Sequence, residues 1–361
     1  MDVAAKTDAD GIKRAYVASQ EFGFSVIDVS SATAPVIENI SDKLFSGEYI
    51  AASGALAVVT GKLPGETTKR LWAAKLNNAA RPFVVGELTT SGTLVINDVA
   101  LHIKGSATDI TMAVVAAGSQ GIKVIDLTNC MNLTSPPITP IVPPVIGTYD
   151  TSGSACAVAL NSTGTIAYVA DGNGLRIVSL SNPRAPSLLA SLSIGSMLTD
   201  VAVSGNIVCL GDQNGSGLWV VNVSNPSAPV LLSLSTLLGL SYGVAMDPQD
   251  PTTVAVLSSS YSAGDQLEIF NLSIPSQPVR EGYVKVAPCG YGEGVTLDNG
   301  FSYVTVTGEG LKRYNILTAI PSLTNTVDIP GDAYDVAVNN SYAYVTGFPG
   351  ALSIIRLPPQ T

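Results

Sequence analysis

His102 is the chain's one histidine, and Cys130, Cys156, Cys209 and Cys289 are its four cysteines. That inventory limits the chemistry at once. A zinc site draws on clustered Cys and His, and a nucleophilic Ser or Cys needs a base beside it. One histidine directly after Asp98-Val99-Ala100-Leu101, and four cysteines without a C-x-x-C pair, supply neither. His102 is expected to be a packed or surface residue, and Cys156 and Cys209, inside apolar stretches, free buried thiols. The glycines sit in hairpin signals such as Asp171-Gly172 and Asn173-Gly174, not ahead of helices, so no phosphate loop is expected.

Two other residue types recur at fixed places. Asp98, Asp200 and Asp335 each open an Asp-Val-Ala segment, and Asp2 matches them. If the segments converge on an axis, their carboxylates gather at one mouth, where Ca²⁺, which takes several oxygen ligands, could bind. The structural alternative is that each Asp accepts backbone N–H groups of a nearby turn, and the interruptions Ala157, Gly243 and Gly294 favour it. Tyr49, Tyr242, Tyr291 and Tyr334 fall at or just before the same segments, on the side of the loops holding Phe22, Tyr261 and Phe348. Rigid aromatics make good contact area, so this face is a candidate for protein or glycan binding; a wedge between neighbouring units is the competing role.

A repeat must position these groups. A second apolar segment returns near residues 16, 57, 114, 168, 208, 255, 303 and 344, roughly 40 to 57 residues apart. Before it comes the small-residue segment; after it come a Gly-rich turn, an apolar third strand such as Ile122–Leu127, a Ser-Asn-Pro turn and a fourth strand such as Pro229–Leu232. Asp-Gly and Asn-Gly supply the positive φ of tight hairpins, and Pro, which cannot donate to a ladder, sits between third and fourth strands. Third strands apolar on both faces need cover on both sides, which a closed ring of sheets provides.

The reading is an all-β β-propeller of four-stranded antiparallel blades, eight in number, or seven if the N-terminal unit is incomplete. The blades fall at about 1–40, 41–90, 91–150, 151–194, 195–237, 238–286, 287–330 and 331–361, in one domain. Inserts occur around 62–69 and in "NLTSPPITPIVPP", residues 132–144. The last unit lacks a fourth strand, so the edge carrying Leu352, Ile354, Ile355 and Leu357 either stays blunt or accepts a strand from the N-terminus or another subunit.

The pattern D-V-A-V, Y-V-A-D, G-L-x-I-V-x-L-S-N-P-x-x-P resembles the LVIVD-repeat proteins, relatives of YVTN-type propellers, most strongly from Ala155 to Leu232. The resemblance implies a secreted or surface-displayed propeller without a transferable catalytic set. Composition agrees: 46% of residues are hydrophobic and 13% charged, so a large core can form. With 18 basic residues against 28 acidic, net charge −10 and no basic cluster, nucleic acid and anionic membranes are not expected partners. No apolar run is long enough for membrane insertion, and "MDVAAKTDADGIKR" does not read as a secretory signal. The expected role is a non-enzymatic extracellular or cell-surface module that binds protein or glycan or assembles with itself. The alternatives are a structural subunit of a filament or surface layer, and a carboxylate-dependent lactonase or carbohydrate-active enzyme.

Overall fold

The computed structural model describes residues 2–7, 13–19, 23–28, 36–40, 46–53, 56–62, 66–75, 83–90, 95–105, 109–135, 137–172, 174–195, 197–214, 217–246, 250–260, 264–287, 292–318, 320–328, 332–339, 342–348 and 351–356. They form a succession of separate antiparallel sheets. The first contains β1–β4 (Asp2–Thr7, Lys13–Ser19, Gly23–Asp28, Val36–Ile40). The second contains β5–β8 (Ser46–Ser53, Leu56–Lys62, Lys69–Lys75, Phe83–Thr89). The third contains β9–β12 (Asp98–His102, Met112–Ala116, Ile122–Asp126, Val145–Tyr149), with helix α1 (Thr128–Asn132) between its last two strands. The fourth contains β13–β16 (Ala155–Leu160, Ile166–Asp171, Gly174–Ser179, Ser187–Ser193).

The fifth sheet contains β17–β20 (Leu198–Ser204, Ile207–Asp212, Gly217–Asn222, Val230–Thr236). The sixth contains β21–β24 (Leu240–Met246, Thr253–Ser260, Gly264–Asn271, Val279–Ala287). The seventh contains β25–β28 (Gly292–Asp298, Phe301–Val306, Gly310–Asn315, Ser322–Val327). The eighth has three described strands, β29–β31 (Asp332–Asn339, Tyr342–Phe348, Ala351–Arg356). In each sheet the strands pair in chain order, and the first strand of each touches the first strand of the next. The cycle returns on itself, because β29 contacts β1. The architecture is all-β, repetitive and propeller-like.

The core lies between sheets rather than within them. Leu56, Val58, Leu71 and Val85 of the second sheet meet Ala113, Val115 and Ile125 of the third. The other faces of β10 and β11, through Val114 and Val124, meet Val169 and Val178 of the fourth. The same layering joins sheets four to five, five to six and six to seven. The all-buried second strands, such as Met112–Ala116, follow from this, since both faces of each are covered by a neighbouring sheet.

Every described fourth strand carries the same irregularity. Its ladder with the third strand slips by one residue, in β4, β8, β12, β16, β20, β24 and β28. A bulge of this kind bends and twists a strand. In five of them a small residue follows it: Gly86, Gly147, Ala190, Ser233 and Gly282. The third-to-fourth turn of the next sheet seats against this position. A Cβ on Gly147 would overlap the Pro183 carbonyl oxygen and lie 2.8 Å from the Pro186 ring. The Ser233 hydroxyl donates to the Pro275 carbonyl at 2.9 Å. The Ser-Asn-Pro turn therefore does two jobs, reversing the chain and closing the seam to the preceding sheet.

Register corrects several expectations. The equivalents of Tyr168 in the second and fifth sheets are Val58 and Cys209, one residue beyond the positions read from sequence, as their pairings with Ala51 and Ala202 show. β1 pairs along its length with β2, so the N-terminal segment is already committed to the first sheet and does not supply the strand proposed for β31. Cys156 is half-buried, not buried, because it occupies a bulge in β13; Cys130 and Cys209 are buried, and all three are free thiols.

Candidate functional site

The recurring carboxylates are positioned by the first strands. Asp2 pairs with Ala18, Asp98 with Ala116, Asp200 with Gly211 and Asp335 with Thr346, which is one structural position in four sheets. Side-chain geometry is described for two. Oδ1 of Asp98 accepts the N–H of Val99 at 2.7 Å, and Oδ2 accepts the N–H of Val158, in the next sheet, at 2.8 Å. Asp200 repeats this, taking Val201 N–H at 2.7 Å and Val244 N–H of the next sheet at 2.9 Å. Each carboxylate is thus a tie between neighbouring first strands. Both of its oxygens are engaged, whereas Ca²⁺ takes 6–8 oxygen ligands. Among the described residues no three His, Cys, Asp or Glu side chains gather in a metal-binding group.

The ties sit in a poorly hydrated place. Burial pushes the Asp98 carboxyl up to about 7; the Val158 N–H pulls the other way, and the charge of Asp200 raises it further. Asp200 is also raised by burial, opposed by the N–H groups of Val244 and Val201. That Asp98 senses Asp200, two sheets away, follows from the convergence of first strands. The folded chain therefore holds a proton on Asp98 that an unfolded chain, with a carboxyl near 4, has released. The resulting stability is fully present below about 4 and is lost as pH rises through about 7. Melting temperature should fall between pH 5 and pH 8, and Asp98→Asn should flatten that slope. An unchanged slope in the variant would show that another group titrates.

The aromatic set is sorted by the same registers. Tyr242 and Tyr334 are the extra residues of first-strand bulges, between Ser241 and Gly243 and between Ala333 and Asp335. Tyr49 lies one step further on, paired with Thr60, in the place that Asp takes in other sheets. Tyr242 is 48% exposed. Tyr242→Ala should change stability by no more than about 0.5 kcal/mol, measured by urea denaturation; a larger loss would make it a spacer. Phe22, Tyr261, Tyr291, Leu357 and Cys289 lie outside the described residues, as do the side chains of Asp2, Tyr49, Tyr334, Asp335, Phe348, Leu352, Ile354 and Ile355.

His102 is a packed residue. Its Nε2 lies 2.8 Å from Oδ2 of Asp109, and its ring covers Gly164 of the next sheet, whose φ of +68° needs glycine. The hydrogen bond to His102 is the chief cause holding the Asp109 carboxyl below its usual range.

Sequence reasoning missed a cleft of about 460 Å³ at the seam of sheets six and seven, lined by Asp250, Thr253, Asn271, Glu281, Asn299 and Leu317. These residues come from hairpins, strand ends, β24 and a third-to-fourth turn of two sheets, so no local pattern announces them. Asp250 is raised by burial but ends below its ordinary value through hydrogen bonds from the Thr252 and Thr253 hydroxyls. Glu281 accepts the Asn271 amide at 2.7 Å. The polar groups are thus tied to one another along the walls of an open cleft.

The LVIVD repeat family matches residues 13–42, 152–193, 196–235 and 330–355. The chain thus carries LVIVD repeats in its first, fourth, fifth and eighth sheets. In the best-described LVIVD units, sheets four and five, the motif spans the small first strand, the buried second, the third and the seam-closing turn. No curated protein matches the chain. Among solved structures, the computationally designed Ika8 protein is similar over 99% of this chain and 95% of its own, at 12% identity and a TM-score of 0.70. BamB from Moraxella catarrhalis is similar over 99% of this chain and 94% of its own, at 12% identity and 0.67. A Bacteroides fragilis protein described as a candidate 6-phosphogluconolactonase is similar over 88% of this chain and 95% of its own, at 10% identity and 0.61. Likeness at such identities shows the fold alone, and the fold hosts unlike functions.

Proposed function

We propose that this LVIVD-repeat protein is an eight-bladed propeller acting outside the cell or at its surface as a non-catalytic module for binding protein or glycan, or for assembly. The observation that carries this is the commitment of Asp98 and Asp200 to N–H groups of neighbouring sheets. The carboxylates best placed for axial chemistry hold blades together, and the surface is left to carry the role. Exposed Tyr242 supports a contact face at the first-strand bulges. The outer edge of β31 has no partner strand among the described residues and offers backbone groups for self-association.

Sedimentation over a wide range of protein concentration, with a hydrolysis assay on a simple δ-lactone, tests the reading. Reversible association or glycan binding without turnover supports it. Lactone turnover abolished by Asp98→Asn or Asp200→Asn would replace it with the hydrolase.

A further inference from the structure

The chain contains its own example of how an outer sheet edge is covered. In the third sheet the Ser-Asn-Pro turn is replaced by α1 and an uncharged stretch whose described residues 137–144 reach the second sheet at Ile141. There Ile141 forms a parallel bridge with Gly86: its N–H donates to the Val85 carbonyl at 2.8 Å, and its carbonyl accepts the Glu87 N–H at 2.8 Å. Ile141 also rests against the core shared by sheets two and three. Ile141, between Pro140 and Pro143, thus bridges the outer edge of β8 at a single position just past the bulge.

The same backbone groups recur elsewhere. Gly86 pairs with Ala73, as Ala190 pairs with Ile177 and Ser233 with Val220, each directly after the bulge. The counterparts of the Val85 carbonyl and Glu87 N–H are therefore Leu189 C=O and Ser191 N–H on β16, and Leu232 C=O and Leu234 N–H on β20. No loop backbone covers them among the described residues.

Natural edge strands are protected by charge, proline or a covering segment. β24 carries Arg280, Glu281 and Lys285, and β8 is covered by Ile141. β16 (SLLASLS) and β20 (VLLSLST) carry no charge, and they expose Leu188, Val230, Leu231 and Leu234 on adjacent sheets.

We propose that the outer edges of β16 and β20 dock an extended, uncharged, proline-flanked segment of a partner protein, bridging it through backbone groups as Ile141 is bridged on β8. Backbone pairing supplies affinity, the leucines and Val230 supply apolar contact, and the absence of charge on both sides selects against ionic partners. The inference rests on the binding role proposed above and names a surface and a partner class for it.

The test uses a synthetic peptide, PPITPIVPP, the chain's own residues 136–144, titrated into the full chain by calorimetry. Ser191→Pro with Leu234→Pro removes the outward N–H groups; a proline is tolerated at such edge positions. Leu188→Lys with Leu231→Lys, which charges the edges without touching the backbone, is the second variant. Saturable binding weakened at least tenfold in both variants, with each still folded by circular dichroism, is the expected result. No binding, or binding indifferent to both variants, overturns the proposal. Dimerisation of the chain lost in both variants makes a second copy the occupant and overturns it as well. A failed peptide leaves glycan binding and association through β31 standing, so the two readings fail separately.

Discussion

Arg280→Ala is expected to destabilise the chain by about 1–3 kcal/mol, the cost of leaving a buried polar group without its partner, because only Glu268 is fully buried while the Arg280 side chain is 30% exposed. Glu268, on β23, has no exposed side-chain surface, and its Oε2 lies 2.9 Å from Nε of Arg280 on β24. Its other oxygen accepts the Ser258 hydroxyl at 2.6 Å and the Leu238 N–H at 2.9 Å. Arg280 also lies over the Phe270 ring and donates to the Thr236 carbonyl of the preceding sheet. Alanine removes the cation and leaves a buried carboxylate with two neutral donors. Urea denaturation measures the loss, and Glu268→Gln in the same background should restore much of it by removing the stranded charge. A loss below about 1 kcal/mol would class the pair with solvent-screened surface bridges.

Gly147→Leu should cost about 3 kcal/mol, the upper part of the range for overpacking a filled site. The side chain would enter the seam where Pro183 and Pro186 of the fourth sheet rest on β12, and backbone on that side cannot yield cheaply. Leucine at the equivalent Ala190 of β16 should be costly for the same reason. Leucine at the exposed Ser191, which lies one step further along the strand on the opposite face, should change little. Thermal melts of the three variants check the seam directly. Equal effects at 147 and 191 would mean that the turn does not seat on the bulged strand.

These outcomes depend on features of unequal legibility. The repeat was readable because each strand has its own composition: small residues in the first, Tyr-Val-Ala in the second, apolar residues on both faces of the third and proline before the fourth. Such patterns are local, and burial imposes them wherever sheets stack. The structural role of the recurring Asp was also readable as an alternative, since interruptions such as Ala157 suit a dispensable tie better than a ligand set. What it ties was not, because Val158 and Val244 are 60 and 44 residues away.

The helix α1 and the docking of Ile141 escaped notice for a related reason. The segment 132–144 reads only as a proline-rich insert, and its meaning lies in the Val85 and Glu87 backbone on another sheet. The cleft beside Asp250 and Glu281, the Glu268–Arg280 pair and the two-residue difference between exposed Tyr242 and buried Val244 likewise needed the assembled molecule.

By itself, then, the sequence determined the class of fold and the order of strand types within each repeat. Periodicity and residue type act through short-range sterics and burial, and those can be read along one strand. The tertiary structure decided which carboxylates hold blades together, where bulges place small residues against the next turn, and which sheet edges stay uncovered. Each of these is a relation between backbone groups brought together from distant repeats, and a linear pattern carries no distances between them.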